Sequence, residues 1–441
     1  MVFCESSCLI SMAALRGKII VLTESLHHRV FGHGMSEEMR GFLGNLSWSV
    51  GAGILAAAIM FSVNIFAGRF LGPAEFGKYN YIISLATSLM FFFLLGNNQS
   101  GIRYASDKKY KKKQHQIFGT VLLLTFVQAI LVFFVFFVFQ DVIDKKINLG
   151  ISVVYLVLLF GFILSLKELF DAFIRAFGLF RLQGIVRVGD AIFVFITFFL
   201  FFFLFHDRIS SVHYIVAMIS GALFSVAVFA YLLRKKFEWF EREDVSTILH
   251  YNKFLILGTF AGAVMSLEKV FIGKYIGIES LGVYSAYYAS SQLIMSNLGI
   301  LFMNIFWPTV IRNKNNLRPI LDKLNRIFFR FFPIWIGINF LGIFFFMFLY
   351  GKEYPIYLSF LILFSVSSLL NIFFFVYMSI MNIDRVSVSV IINMIVYGLL
   401  ISSIFLFKSI PAYLVVQIVV YSIAIVYVRK NLSNNLIAET I

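Results

Sequence analysis

The chain has 441 residues and a mass of 50.5 kDa, with 60% hydrophobic and 13% charged residues and a mean hydropathy of +0.90. Soluble domains are about 45–50% apolar and about 25% charged, so too few polar side chains are present to cover a compact surface in water. A large soluble enzyme, a disordered chain and a disulfide-stapled secreted domain are excluded, and the outer surface must face lipid. The net charge of +15 does not point to nucleic acid, because the basic residues fall in short breaks between apolar runs, where they act as topological anchors against anionic lipid.

Residues 1–34 stand apart. Residues 9–22 are mildly apolar but interrupted by Arg16 and Lys18, too short to span a bilayer and without a signal-peptide cleavage pattern. Met35-Ser36-Glu37-Glu38-Met39-Arg40 reads as an ordinary start. The extension is expected to be a disordered tail or a start-site artefact, with an interfacial amphipathic segment as the alternative. It contains the two cysteines, Cys4 and Cys8, which make no metal site.

Twelve apolar runs follow, near 46–68, 80–100, 117–139, 149–170, 188–205, 214–233, 254–276, 283–307, 328–349, 356–380, 387–407 and 411–428. A helix needs about 20 apolar residues to cross about 30 Å of hydrocarbon. Barrel strands would alternate over about ten residues, so the runs predict an all-α polytopic membrane protein. Placing the N-terminus in the cytoplasm puts the Lys108–Lys113 cluster, Arg175, Arg181, Arg187, Arg234–Lys236, Arg312, Arg326 and Arg429 on the inner side. That asymmetry predicts an even number of spans with both termini inside. The breaks divide the chain into an N-terminal six-helix lobe at 35–240 and a C-terminal one at 241–441.

A repeat relates the lobes. Span one ends in Arg69-Phe-Leu-Gly72-Pro-Ala-Glu-Phe-Gly77-Lys-Tyr79, and span seven in Lys274-Tyr-Ile-Gly277-Ile-Glu-Ser-Leu-Gly282-Val-Tyr284, 205 residues later without a gap. An offset of six spans makes the repeat parallel, of the kind that builds many secondary transporters. The first glycine is expected to end the helix with a left-handed residue and Pro73 to block its continuation. The second glycine is expected to permit a tight turn. Tyr79 and Tyr284 are expected at the outer interface, and Arg69 and Lys274 near the lipid–water boundary. On this reading the motif itself is a structural hairpin.

The hairpin after span one, the Leu95-Gly96 and Ile102-Arg103-Tyr104 end of span two, and the Tyr350-Gly351-Lys352-Glu353-Tyr354 turn before span ten together resemble one family. It is the polysaccharide-transport branch of the multidrug/oligosaccharidyl-lipid/polysaccharide (MOP) exporter superfamily, which includes the Wzx-type O-antigen and capsule repeat-unit flippases. The resemblance implies two six-helix bundles around a central cavity. It also implies alternating access that transfers a polyprenyl-pyrophosphate-linked oligosaccharide from the inner to the outer leaflet, with contact to a polysaccharide polymerase among the partners.

Ionisable residues inside spans are functional candidates by default. Glu268 and Lys269 lie about 20 Å into span seven at 1.5 Å per residue, pointing about 100° apart, so that one can line the cavity while the other meets a neighbouring helix; an interlobe ion pair is the structural alternative. The repeat partner of Lys269 is Asn64, a polar group at equal depth. At the end of span two, Asn97, Asn98, Gln99 and Arg103 are candidates for contacting a sugar or the pyrophosphate, since the arginine fork suits phosphate; an interface anchor is the alternative for Arg103. Asn304 is the repeat partner of Gln99. Asp171 and Arg175 share a helix face at the inner end of span four, and Asp190 lies just inside span five. These three are gating or ion-coupling candidates, with a solvated helix end as the structural alternative.

No phosphate-cradling glycine loop with lysine and no His or Cys cluster occurs, so neither ATP, a metal nor another cofactor is expected. Energy is expected from an H+ or Na+ gradient or from the membrane potential, worth about 2.3 kcal/mol per charge per 100 mV. The competing readings are a drug or cation:ion antiporter and a lipid II flippase of the same superfamily. A membrane glycan polymerase or ligase is disfavoured by outer connections of only about ten residues, which leave no room for catalysis at the scale of a folded domain.

Overall fold

A computed structural model describes residues 37–106, 108–147, 150–205, 208–239, 242–312, 318–381 and 386–438. The N-terminal extension lies outside the described residues. Among those described, every regular element is helical. In chain order the helices are α1 (Glu37–Leu94), α2 (Asn97–Ser106), α3 (Gln114–Val138), α4 (Gln140–Ile147), α5 (Ile151–Ala176), α6 (Phe180–Phe205) and α7 (Ser211–Leu233). They continue with α8 (Arg242–Ser266), α9 (Glu268–Tyr275), α10 (Ile278–Arg312), α11 (Arg318–Tyr350), α12 (Leu358–Met381), α13 (Val386–Phe407) and α14 (Ile410–Ala438). Short 3₁₀ turns cover Lys108–Lys113 and Arg234–Lys236.

Each of the twelve apolar runs falls on helix. The 58 residues of α1 hold the first two. A straight helix of that length would reach about 87 Å at 1.5 Å per residue, far beyond one bilayer, and α1 is divided at Gly72, where φ is 70° and ψ 169°. Pro73 follows and cannot donate the next backbone hydrogen bond. The second span stops at Leu95 and Gly96, both with positive φ. Span seven is interrupted at Leu267, between α8 and α9, and α10 carries span eight. Among the described residues, nine helices are individually long and apolar enough to cross a membrane, the first spanning Gly51–Leu94.

The helices form two six-span bundles. In the first, α1 packs against α5, α6 and α7, and α6 against α7. In the second, α12 packs against α14 and α10, α13 against α14, and α11 against α10 and α12. The bundles meet chiefly where α1 lies along α8, α9 and α10. Large apolar side chains stand exposed around the perimeter, among them Ile130, Phe134, Phe203, Leu341, Phe348, Leu406 and Val426, as a surface solvated by acyl chains requires. Within the second bundle, where apolar attraction between helices is weak in lipid, Asn339 of α11 donates hydrogen bonds to Ser368 (3.0 Å) and Ser291 (3.2 Å).

Two readings of the repeat hairpin are corrected. Tyr79 and Tyr284 are not at an interface with water: both are buried, at 4% and 0% exposure, each against rings of its own lobe, Tyr214 beside Tyr79 and Phe364 and Tyr413 beside Tyr284. Gly77 and Gly282 are not turn residues; they lie inside α1 and α10 and mark where the lobes touch. Gly72 and Gly277 do carry positive φ, 70° and 137°, and Arg69 and Lys274 are exposed. The first hairpin is held to its own lobe by Glu75, whose Oε2 accepts hydrogen bonds from the backbone N–H (3.0 Å) and hydroxyl (2.8 Å) of Ser211 at the start of α7, the helix end that favours a carboxylate.

Gly72→Ala is expected to lower stability by about 1–3 kcal/mol, the cost of a side chain in a glycine-only backbone region, compounded by Glu353 Oε2 lying 2.7 Å from the added Cβ. Gly51→Ala, where a Cβ meets open space, serves as the control. Thermal unfolding in detergent checks both, and equal midpoints would contradict the strained hairpin.

Candidate functional site

The interruption at Leu267 sets the site. The Leu267 N–H is shared between the carbonyls of Ala263 (3.2 Å) and Val264 (3.1 Å), and α9 restarts at Glu268. The two ionisable residues therefore sit at a helix discontinuity, where irregular backbone is tolerated in a membrane protein only inside protein or beside a cavity. Both are half-buried. Adjacent positions on a helix diverge, and these side chains go to different lobes. Glu268 Oε1 accepts a hydrogen bond from the hydroxyl of Tyr284 on α10. Lys269 Nζ donates to Oδ1 of Asn80 on α1, across the interlobe boundary, at 3.3 Å, and lies 4.9 Å from the centre of the Tyr288 ring. No salt bridge within 4.0 Å joins Glu268 to a basic residue among the described residues.

Tyrosines complete the surroundings on the C-terminal lobe. The ring of Tyr413, from α14, lies 6.3 Å from that of Tyr284, and its side chain is fully buried beside Glu268. Tyr288, Tyr413 and Asn80 were not singled out from the sequence, and Tyr284 was read only as part of the repeat hairpin. The one available signal was the repeat, which places Tyr284 opposite Tyr79 and Ser285 opposite Asn80.

The equivalent depth of the first lobe is neutral. Asn64 Oδ1 accepts a hydrogen bond from Tyr214 of α7 at 2.8 Å, and the Tyr214 ring stacks on Tyr79 with centroids 4.1 Å apart. Asn64 is thus bound within its own lobe rather than to Lys269.

Asp171 and Arg175 are brought together in a separate charged network on α5 and α6, and Asp190 forms a pair of its own between the same two helices. Asp171, 6% exposed, accepts two hydrogen bonds from Gln183 (2.8 and 2.9 Å) and one from Arg187 (3.0 Å). Arg175 lies 3.4 Å from the same carboxylate and 3.3 Å from Glu168. Asp190 pairs with Lys167. Helical spacing explains the network: Lys167, Asp171 and Arg175 recur every four residues on α5, and Gln183, Arg187 and Asp190 recur at four and three on α6. The carboxylates are internally paired, while Arg175 and Arg187 keep side-chain exposures of 36% and 42%.

The polar run after span two divides. Asn97 is fully buried and donates to Thr125 (3.1 Å) and Gln128 (2.9 Å) of α3, while its Oδ1 accepts from Asn252 of α8 at 2.6 Å. Arg103 donates to the hydroxyl of Tyr251, also on α8, at 2.6 Å and stacks over that ring at 4.4 Å. Asn98 faces Glu168, and Gln99 is exposed. The side chain of Asn304 lies outside the described residues. None of these is brought to Lys269; Asn97 and Arg103 instead join the lobes at the end opposite the repeat hairpins. Among the described residues no group of His, Cys, Asp and Glu is placed to hold a metal.

A family model described as "Polysaccharide biosynthesis protein" matches residues 42–314, more than half of the sequence. The chain belongs to that family. A comparison with curated proteins finds no match. Among solved structures, the outward-facing conformation of a multidrug resistance MATE family transporter of the MOP superfamily is similar with a TM-score of 0.61 at 12% identity, over 90% of this chain and 96% of the other. An inward-facing conformation of such a transporter gives 0.59 at 14% identity, over 94% and 98%. A MOP-superfamily transporter from Pyrococcus furiosus gives 0.57 at 13% identity, over 90% and 95%. At such identities the likeness is one of fold. This member of the polysaccharide biosynthesis family is a multi-pass membrane protein with the two-bundle fold of MOP-superfamily transporters, and the resemblance read from its hairpin motifs holds.

Proposed function

We propose that the chain flips a polyprenyl-pyrophosphate-linked oligosaccharide repeat unit from the cytoplasmic to the outer leaflet of a bacterial inner membrane, by alternating access, for assembly of O-antigen, capsule or exopolysaccharide. Both termini are cytoplasmic on this reading, and a polysaccharide polymerase is the partner that receives the product. The observation that carries it is Lys269, an ammonium held half-buried at a helix break and reaching across the boundary between the lobes. A cation so placed has a strong preference for an anionic guest, because hydrogen bonds with both partners charged exceed the one it makes to a neutral amide. The pyrophosphate supplies that anion, and the family supplies the polysaccharide context.

The test is complementation of a strain lacking this gene, with separate assays of surface glycan and of lipid-linked precursor in each leaflet. Wild-type protein should restore glycan and clear the inner-leaflet precursor. Restoration of glycan by a Lys269→Ala variant at equal protein level would remove Lys269 from the site.

Glu268 is the residue to bind the coupling H+ or Na+. The carboxylates of α5 and α6, Glu168, Asp171 and Asp190, each have a basic side chain within 4.0 Å, whereas Glu268 on α9 has a tyrosine hydroxyl. Glu268→Gln should make flipping insensitive to collapse of the ion gradient, read in proteoliposomes; a variant as sensitive as wild type would end the assignment.

A second reading, drug or organic-cation export, is favoured by the tyrosines beside Glu268, since aromatic faces and a carboxylate suit a cation. Drug susceptibility of the same strain separates the two: a cation exporter protects against cationic drugs when glycan assembly is intact, and a repeat-unit flippase does not.

A further inference from the structure

The two hairpin glycines make a reciprocal contact. A Cβ built on Gly77 would lie 1.9 Å from the carbonyl oxygen of Ile278, and one built on Gly282 would lie 1.9 Å from that of Pro73. Ile278 follows the positive-φ Gly277 as Pro73 follows Gly72, and each member of one pair lies 205 residues from its counterpart in the other. Each lobe therefore presses a helical glycine on the same carbonyl of its partner lobe, as in a two-fold interface within one chain. The obstruction is backbone on both sides, so no rotamer change relieves it. The seal continues over Gly68, whose carbonyl accepts a hydrogen bond from Tyr354 at 2.9 Å and whose missing side chain leaves room for the Tyr350 ring. Phe76 packs against both of these tyrosines.

One helical turn below Gly77 is Asn80, the acceptor of the Lys269 ammonium. Asn80 is 6% exposed, and its amide nitrogen is held by the carbonyl of Phe76 at 2.8 Å, so its oxygen is fixed toward Lys269. We infer that the Gly77–Gly282 contact is a gate closing the hairpin end of the boundary between the lobes, and that Asn80 is a positioning residue that holds Lys269 across the closed gate until an anion takes the ammonium away. A ligand shifts a two-state element only through a difference in affinity between the states. Here the difference is direct: the ammonium serves Asn80 in the closed state and the guest anion in the open one. The latch rests on the proposed reading of Lys269; the gate does not.

The test is thiol labelling of the full chain, with Cys4 and Cys8 replaced by serine and Ser285→Cys as reporter. Ser285 is buried, three residues past Gly282, and its hydroxyl has no hydrogen-bond partner among the described residues. A membrane-impermeant maleimide is applied to right-side-out and to inverted vesicles without substrate. Gly77→Val or Gly282→Val should raise the labelling rate at least about ten-fold, a modest population shift, whereas Gly398→Val, where a Cβ meets open space, should not. Asn80→Leu should raise labelling and Asn80→Asp should lower it, opposite signs that a merely structural role would not produce. Unchanged labelling in both glycine variants, at wild-type melting temperature, overturns the gate. Equal rates in the two Asn80 variants overturn the latch. Increased labelling only in inverted vesicles would reverse the proposed orientation and leave the gate standing. Wild-type glycan assembly by Lys269→Ala would remove Lys269 from the site, and the latch with it, while the labelling result still judges the gate.

Discussion

Lys269→Ala should leave lipid-linked precursor on the inner leaflet and lower surface glycan by about one to two orders of magnitude, since a hydrogen bond to a charged partner contributes about 1.5–3 kcal/mol. The argument turns on what the side chain does in this fold. Its stem crosses from α9 to α1, its ammonium is held by a neutral amide at 3.3 Å and by the face of Tyr288, and no carboxylate is salt-bridged to it among the described residues. Its positive charge is thus not already neutralised by a full anion, unlike that of Lys167, which Asp190 satisfies. Lys269→Arg should restore part of the activity, because the charge persists while the reach to Asn80 changes. Flipping of fluorescent precursor in proteoliposomes is the direct measurement. An alanine variant with an unchanged initial rate would place anion recognition elsewhere.

Asp171→Ala is expected to be the most destabilising single change in the charged network. Removing one partner of a buried ion pair costs about 3–5 kcal/mol, because the other charge is left uncompensated. The lower part of that range applies here, because Arg187 and Arg175 keep side-chain exposures of 42% and 36%, while the carboxylate itself is nearly sealed. Gln183 loses both acceptors at once. Asp171→Asn, which retains an acceptor oxygen, should cost less. Expression level and thermal unfolding in detergent report the loss, and flipping per folded molecule separates stability from function. If Asp171→Ala protein is as stable as wild type but inactive, the residue couples or gates transport; if it is unstable but active when folded, the network is a scaffold.

The Asp171 network shows how far the amino-acid order alone can be read. Spacing put Asp171 and Arg175 on one face of one helix, and that is local geometry, settled by 3.6 residues per turn. That Arg187 and Gln183 meet the same carboxylate depends on how α5 and α6 are rotated against each other, which no period along one helix encodes. Lys269 follows the same division. Its depth in the membrane came from counting residues along span seven, but its acceptor, Asn80, is 189 positions away and was not singled out. The break at Leu267 also escaped notice, because the residues 254–276 read as one continuous apolar run.

The repeat hairpin is the clearest case of a correct signal with a mistaken reading. Its glycines were visible at equal spacing in both halves, and glycine suggests a turn. The first of each pair does adopt positive φ. The second serves the other property of a residue without Cβ, close approach of two backbones, and its partner belongs to the opposite lobe. The tyrosines were assigned to an interface with water because a hairpin considered alone has an outside, whereas in the bundle Tyr79 packs on Tyr214 and Tyr284 on Phe364 and Tyr413, from helices far along the chain.

From its order of residues alone, this protein's solvent, its helical class, its dozen crossings and its two like-oriented halves were determined, because hydrocarbon thickness and helical rise convert composition directly into length. Which side chains meet was decided only by the tertiary structure. The contacts between Gly77 and Ile278, Gly282 and Pro73, Lys269 and Asn80, and Asp171 and Arg187 each require two helices to be rotated and brought into contact, and packing sets that geometry, between the lobes for the first three and within the first lobe for the last.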